Sequence, residues 1–223
     1  MNWRITAFLA SPLAGDAPQL DAILEWEMSQ RLGLAHNIQR WEPCPAAGEV
    51  HLPCLRGSMG GISGIPRVSS PIFRAEQDRH EHYAKRLAVE HAGLLHPSQR
   101  RVVAMGNSTY KAYRLPLRVR NVDRVCWFVG GALRVDLQTV LDAVVSIGKK
   151  RSQGFGRIAR WDFTEVEHDW SWFAATEHGS LLMRPLPYCD QLPVDLIGFS
   201  RSYGGVVPPY WHPDRFCDCV MPA

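Results

Sequence analysis

The 223-residue sequence lacks the features of several familiar protein classes. No apolar run approaches the roughly 20 residues that a bilayer-spanning helix needs, and residues 1–9 are not a hydrophobic segment followed by a small-residue cleavage site. The nucleotide-binding patterns GxxxxGK[ST] and GxGxxG are also missing. We therefore expect a globular cytoplasmic protein that has no membrane partner and binds no cofactor.

The cysteines show no framework of disulfides or metal ligands. Without a secretory signal, reduced thiols are expected, and the sequence contains no Cys-x-x-Cys pair. Cys217 and Cys219, with His212 nearby, could take a metal, but zinc sites usually separate paired cysteines by two to four residues. We predict that no metal is bound and that these six residues are small buried hydrophobes: Cys44, Cys54, Cys126, Cys189, Cys217 and Cys219.

The net charge is small, but positive and negative residues are strongly segregated along the chain. The net charge is +3, yet residues 56–160 hold 19 Lys and Arg against 7 Asp and Glu, a net +12, and the remainder carries −9. A cationic middle favours a protein that lays one face on nucleic acid. Two alternatives remain open: the charges scatter over all faces after folding, or the acidic ends bind protein partners and nothing binds nucleic acid.

Alternation of apolar and polar residues predicts the strands. They are expected at residues 3–9, 50–54, 115–119, 125–129 and 159–163. Helical spacing predicts one helix over residues 20–32 and a second that Asp136 caps and Gly148 ends. Residues 76–91 are rich in helix formers and are predicted as a helix with charge nearly all round, and residues 57–71 as a mobile cationic loop.

This order of elements is strand, helix, strand, repeated once, which is the order of a ferredoxin-like fold. We therefore predict an α+β protein with a ferredoxin-like (RRM-like) βαββαβ core over residues 1–167, carrying a basic insertion at about residues 56–114. Residues 168–223 contain seven prolines and several aromatic residues. They are predicted to form a loop-rich extension packed on the core.

A glycine-punctuated basic segment, residues 147–158 (the glycine loop), is the strongest functional signal. It reads IGKKRSQGFGRI, with three glycines, four cations and no acid. Glycine lets the backbone approach a ligand, and the cations attract phosphates, while Phe155 could stack on a splayed base. The alternative is an ordinary helix-to-strand connection with solvated lysines. The predicted RNA-binding residues of the loop are Gly148, Lys149, Lys150, Arg151, Ser152, Gln153, Gly154, Phe155, Gly156 and Arg157.

A second group of rings and cations lies just before a predicted strand. Tyr110, Lys111, Tyr113 and Arg114 interleave aromatic and positive side chains, a mixture that can hold single-stranded RNA by stacking and charge together. The alternative is a half-buried strand edge. Three arginines in or beside the glycine-bearing insertion are further RNA-binding candidates: Arg56, Arg67 and Arg74.

The spacing of the glycine loop resembles that of a known superfamily. The pattern hydrophobe-Gly-x5-Gly-x-Gly-x-hydrophobe is similar to the loop of the RAMP superfamily of CRISPR-associated proteins, and it is matched here by Ile147, Gly148, Gly154, Gly156 and Ile158. Within that superfamily the layout resembles the small type IV subunit at the 5′ end of the guide RNA. Further points of similarity are the opening strand and first helix, residues 67–71 and 110–114, and the aromatic ending at residues 208–211.

The resemblance implies a non-catalytic subunit of a multi-protein effector. Such a subunit would grip the repeat-derived 5′ handle of the guide RNA and contact the backbone RAMP subunit. It would also lie beside a large-subunit-like protein, where target DNA enters the complex.

A rival interpretation is metal-independent cleavage of precursor guide RNA. Processing relatives use a histidine as general acid or base, and His36 follows the first predicted helix, where such a residue often lies. His80 and His82 point to different sides of the predicted helix and form a poor pair. The sequence shows no paired nucleophile and base, and no paired carboxylates for two metals. Binding without catalysis is therefore the favoured prediction.

Overall fold

The computed structural model describes residues 1–33, 44, 50–85 and 112–223. In these ranges the protein is α+β and mostly strand. The helices are α1 (Leu20–Arg31) and α2 (Arg134–Leu141). The strands are β1 (Asn2–Leu9), β2 (Leu13–Ala14), β3 (Arg56–Met59), β4 (Ile62–Pro66), β5 (Gln77–Lys85), β6 (Tyr113–Asn121), β7 (Arg124–Val129), β8 (Ile158–Val166), β9 (Phe173–Thr176), β10 (Gly179–Leu182), β11 (Leu186–Pro187), β12 (Leu196–Ile197), β13 (Phe199–Gly205) and β14 (Phe216–Pro222). None of the helices in these ranges has the length and apolar character needed to cross a bilayer.

The central sheet has the order β7-β1-β8, with all neighbours antiparallel. Trp3, Ile5 and Ala7 alternate along β1 and are buried in one apolar cluster with the inner faces of both helices. Isolated bridges join Val68 to Val129 and Ile72 to Cys126 along the other side of β7. The structure confirms the predicted helix at residues 20–32 and the predicted strands at residues 3–9, 125–129 and 159–163. In each of them the apolar residues recur with the period of the element, every second residue in a strand and every 3.6 residues in a helix, so they lie on one face that packs on the core.

The second helix is shorter than predicted. It ends at Leu141, and Asp136 lies in its first turn while Leu133 holds the N-cap position without a side-chain cap. Val144 and Ile147, beyond the helix end, still bury their side chains in the core. An apolar pattern at helical spacing therefore continued after the helix had stopped, and the segment reaches the core as irregular chain.

Residues 77–85 form a strand, so the predicted helix over residues 76–91 is wrong there, and residues 86–91 lie outside the described part of the chain. β5 pairs antiparallel with β6 along its nine residues, from Gln77 opposite Asn121 to Lys85 opposite Tyr113. Pairing with a partner distant in sequence overrides local helix propensity. His80 and His82 consequently lie on the same side of one strand.

Residues 56–66 form a hairpin of β3 and β4, so the predicted loop over residues 57–71 is wrong for this part. The strand predicted at residues 50–54 is also absent, although Leu52 is buried in the core. Met59 and Ile65 of the hairpin pack in a second apolar cluster whose other members come from residues 172–220. The hairpin forms because it is covered by distant residues.

The C-terminal extension, predicted to be a loop-rich lobe, contains the six strands β9–β14 joined by irregular segments. Its two small sheets have the orders β12-β10-β9 and β11-β14-β13. A buried ion pair links this lobe to α1: the Arg184 guanidinium lies 3.4 Å from the Asp21 carboxylate, and the Tyr210 hydroxyl donates a hydrogen bond to the same carboxylate. Neither charged side chain is more than 1% exposed.

Candidate nucleic-acid interface

The glycine loop is fastened to the segment that follows β1. The Gly156 N–H donates to the Pro12 carbonyl at 2.8 Å, and the Lys149 N–H donates to the Ala14 carbonyl at 2.8 Å. Ala14 belongs to β2, which pairs with β6. The loop therefore lies beside the β5–β6 pair, with its ends fixed by backbone hydrogen bonds.

Positive backbone angles shape the loop. Gly156 has φ +62°, and a Cβ atom there would lie 1.9 Å from the Ile147 carbonyl oxygen, so a side chain is excluded. Gly154 has φ +89° and open space around it. Lys150 has φ 56° and is the one residue other than glycine with a positive φ in the described ranges. Between them, the exposed residues Ser152 and Gln153 form part of a short 3-10 helix.

The loop cations lie against aromatic rings. The Lys150 ammonium is 3.5 Å from the Tyr83 ring centroid, and the Arg151 guanidinium is 5.1 Å from that of Trp26. Lys149 and Arg157 are exposed. Within the described residues, none of the four cations forms an ion pair with a carboxylate, so their positive field is not neutralised locally and remains available to an anion.

The structure brings Tyr113 to the same place as the loop. Its ring centroid lies 5.8 Å from that of Tyr83, the ring that Lys150 covers. Desolvation is the main cause of a raised pKa at Tyr113, and both the proximity of Tyr83 and a hydrogen bond with it raise that pKa further. Arg114 is exposed on the neighbouring position. Tyr110 and Lys111, predicted with them, lie outside the described residues.

Phe155 is half-buried instead of free at the tip of the loop. Its ring packs against Ala14, Leu117 and Val119. This contact holds the loop against β6 and leaves part of the ring surface for a base.

The three arginines of the predicted insertion differ in what they contact. Arg56 donates to the Val50 and Gly64 carbonyls at 2.9 and 3.0 Å. Arg67 pairs with Asp169 at 2.7 Å and lies over the Trp172 ring. Both side chains are thereby committed to internal contacts that join β3, β4 and the C-terminal lobe.

Arg74 is exposed beyond the segment that bridges to β7. No carboxylate partner accompanies it among the described residues. Of the three insertion arginines, Arg74 is therefore the one that keeps its charge for a ligand.

Sequence reasoning missed the two rings that cover the loop cations. Tyr83 falls in the helix predicted over residues 76–91, and no feature of the sequence predicts that its ring lies near Lys150. Trp26 carried a signal in the sequence, because it is a large aromatic residue on the polar side of the predicted helix. In the structure its side chain is 43% exposed.

The described residues contain no group of three potential metal ligands. Desolvation raises the pKa of Cys217 to about 11, which disfavours the thiolate form that binds zinc. His36, the candidate general acid or base, lies outside the described residues. The described residues of this site are therefore cations, aromatic rings and glycines, a combination suited to binding polyanions.

No protein-family model matches the chain, and a search of curated proteins finds no similar sequence. The function is therefore inferred from the residues and their arrangement.

Proposed function

We propose that this chain is a non-catalytic RNA-binding subunit of a cytoplasmic type IV CRISPR effector complex. In this role the glycine loop grips the 5′ handle of the guide RNA. Other surfaces contact the backbone RAMP subunit and the large-subunit-like protein, near the place where target DNA enters. No cofactor takes part.

One observation carries the proposal: four cations that have no carboxylate partner in the described part of the chain lie on a glycine-turned loop, beside the Tyr83 and Tyr113 rings. Phosphates are attracted by the cations, and unstacked bases can stack on rings or on guanidinium planes. The loop is also held in place by its backbone hydrogen bonds to residues 12 and 14. Binding would therefore cost little of the conformational entropy of the glycine loop.

The sheet supports a ferredoxin-like core for this subunit. β1 lies between β7 and β8, all antiparallel, and residues 68–72 bridge to the outer side of β7 where a fourth strand would pair. Both helices bury their apolar residues with the same face of β1. We propose that residues 67–72 occupy the position of the second core strand.

The test is a triple variant, Lys149→Ala, Lys150→Ala and Arg151→Ala. Binding of a labelled single-stranded oligoribonucleotide is measured at several salt concentrations. Because each lost phosphate contact lowers the slope of log affinity against log salt by about 0.7 for single strands, we expect the slope to flatten by about 2. The conservative triple Lys149→Arg, Lys150→Arg and Arg151→Lys keeps the charge and should keep the slope.

Equal affinity and equal slope for the alanine triple and the parent would refute the loop assignment. The guide-specific part is tested separately by sequencing the RNA that copurifies with the chain. One population starting at a single repeat-derived position is expected, and a random population would refute the role as a handle-binding subunit. Cleavage of repeat RNA in EDTA that disappears in His36→Ala would overturn the non-catalytic assignment.

A further inference from the structure

The central sheet has a second face, opposite the helices, that the function proposed above does not use. Its side chains come from the alternate residues of β1 and their partners on β7 and β8. From the register, three rows cross the sheet: Phe128–Arg4–Thr164, Cys126–Thr6–Asp162 and Arg124–Phe8–Arg160. We call this surface the outer face.

Two aromatic rings lie on the outer face. Phe8 is half-buried on the central strand, and the Arg160 guanidinium covers it at 3.8 Å from the ring centroid. Phe128 is half-buried on β7, with Trp170 packed edge-on against it at 5.0 Å. We call the Arg160–Phe8 pair the platform, because guanidinium planes and aromatic rings are both surfaces on which unstacked bases stack.

The charge of the outer face is complementary to phosphate. Arg4, Arg124 and Arg160 are exposed, and Asp162 is the one carboxylate in the three rows. The Arg4 guanidinium donates to the Thr164 hydroxyl at 3.3 Å, and that hydroxyl donates to Asp162 at 3.3 Å; Arg4 forms no direct ion pair with a carboxylate among the described residues. Three accessible cations around two rings fit a single-stranded nucleic acid better than an apolar protein partner.

The outer face is continuous with the glycine loop. The Ala10 N–H, just beyond β1, donates to the Arg157 carbonyl at 2.8 Å, and the Ser11 hydroxyl donates to the Gly154 carbonyl at 2.7 Å. The Phe8 row is thus the row nearest the loop. At about 3.3 Å per extended residue, Phe8 and Ser11 are separated by about 10 Å of chain.

We infer that the outer face binds single-stranded RNA, stacking bases on the Arg160–Phe8 platform and on Phe128. The inference rests on the proposed function, because the strand is the one that the glycine loop holds by its phosphates. In this arrangement the loop anchors one part of the RNA by charge. The sheet then holds the adjoining nucleotides by their bases.

The experiment compares Phe8→Leu, Phe128→Leu and Arg160→Ala with the parent, using fluorescence anisotropy of a labelled single-stranded oligouridine. Base stacking on a ring is worth about 1–3 kcal/mol, so each leucine variant should lose about 5- to 150-fold in affinity. Because leucine removes no charge, the salt slope should stay unchanged in both. Arg160→Ala should lose affinity and also flatten the slope by about 0.7.

Phe199→Leu is the matched control, since this ring is 40% exposed on β13, away from the outer face, and should bind as the parent does. Urea unfolding of every variant separates lost binding from lost folding. Arg160 is exposed, so its variant keeps the test valid if a leucine variant does not fold.

The outcomes also separate this inference from the function on which it rests. Parent-like binding by folded Phe8→Leu and Arg160→Ala, together with weak binding by the alanine triple of the loop, would overturn the outer face alone. Parent-like binding by all of them would overturn both.

Discussion

Removing the buried cation Arg184 should destabilise the protein more than removing any exposed arginine. Its guanidinium donates to the Val68 carbonyl at 3.0 Å and to the Val206 carbonyl at 2.8 Å, and it also bonds the Pro66 carbonyl. These contacts connect the β4 end, the segment beside β7 and the C-terminal lobe. Arg184 is therefore the common partner of three separate parts of the chain.

The magnitude follows from what Arg184→Met leaves behind. The Asp21 carboxylate is 0% exposed, and one of its oxygens already has no hydrogen-bond partner. Without the guanidinium, the Tyr210 hydroxyl remains as its donor. Breaking a buried ion pair by deleting one partner costs about 3–5 kcal/mol, which in a chain of this size lowers Tm by about 10 °C.

The assay is urea unfolding followed by tryptophan fluorescence. Arg201→Met is the matched control, because Arg201 is exposed on β13 and covers the Tyr188 ring, and it should cost below about 1 kcal/mol. Asp21→Asn added to Arg184→Met should cost less than Asp21→Asn alone, since the charge partner is already gone. A loss below about 1 kcal/mol for Arg184→Met would refute the reasoning.

Two further predictions concern stability. Gly156→Ala should cost more than about 2 kcal/mol because its Cβ would meet the Ile147 carbonyl, whereas Gly154→Ala, with a positive φ but open space, should cost about 1–2 kcal/mol; equal losses in urea unfolding would contradict this. Burial opposes ionisation of Asp169, but hydrogen bonds from Ser171 and Arg67 outweigh it and lower its pKa. The Asp169 carboxylate therefore contributes to the free energy of unfolding above about pH 4, and this contribution is lost as pH falls below that value. Asp169→Asn should destabilise the protein by about 1 kcal/mol at pH 7 and should make stability depend less on pH in the acid range. An unchanged pH dependence in that range would show that this carboxylate is not responsible.

The elements that could be predicted from sequence are those whose pattern reports burial on a single face. β1 alternates Trp3, Ile5 and Ala7 towards the core, and α1 presents Leu20, Ile23 and Leu24 to the same cluster. The glycine loop was also recognisable, because its glycines and cations are adjacent in the chain. Local signals were sufficient for these parts.

Elements stabilised by distant partners could not be predicted in this way. β5 is charged and mostly exposed, and it is a strand because β6 pairs with all of it. The β3–β4 hairpin and the C-terminal sheets share one apolar cluster that joins residues more than a hundred positions apart. For the same reason the sequence does not predict that the Tyr83 ring lies beside Lys150.

The backbone angle of Lys150 sets two selective demands against each other. A residue with a Cβ atom at φ 56° carries about 1–2 kcal/mol of conformational energy that glycine would not. Lys150→Gly would thus relax the chain while deleting the ammonium above Tyr83. Selection for thermal stability would therefore favour glycine at position 150, whereas selection for ligand binding would favour lysine.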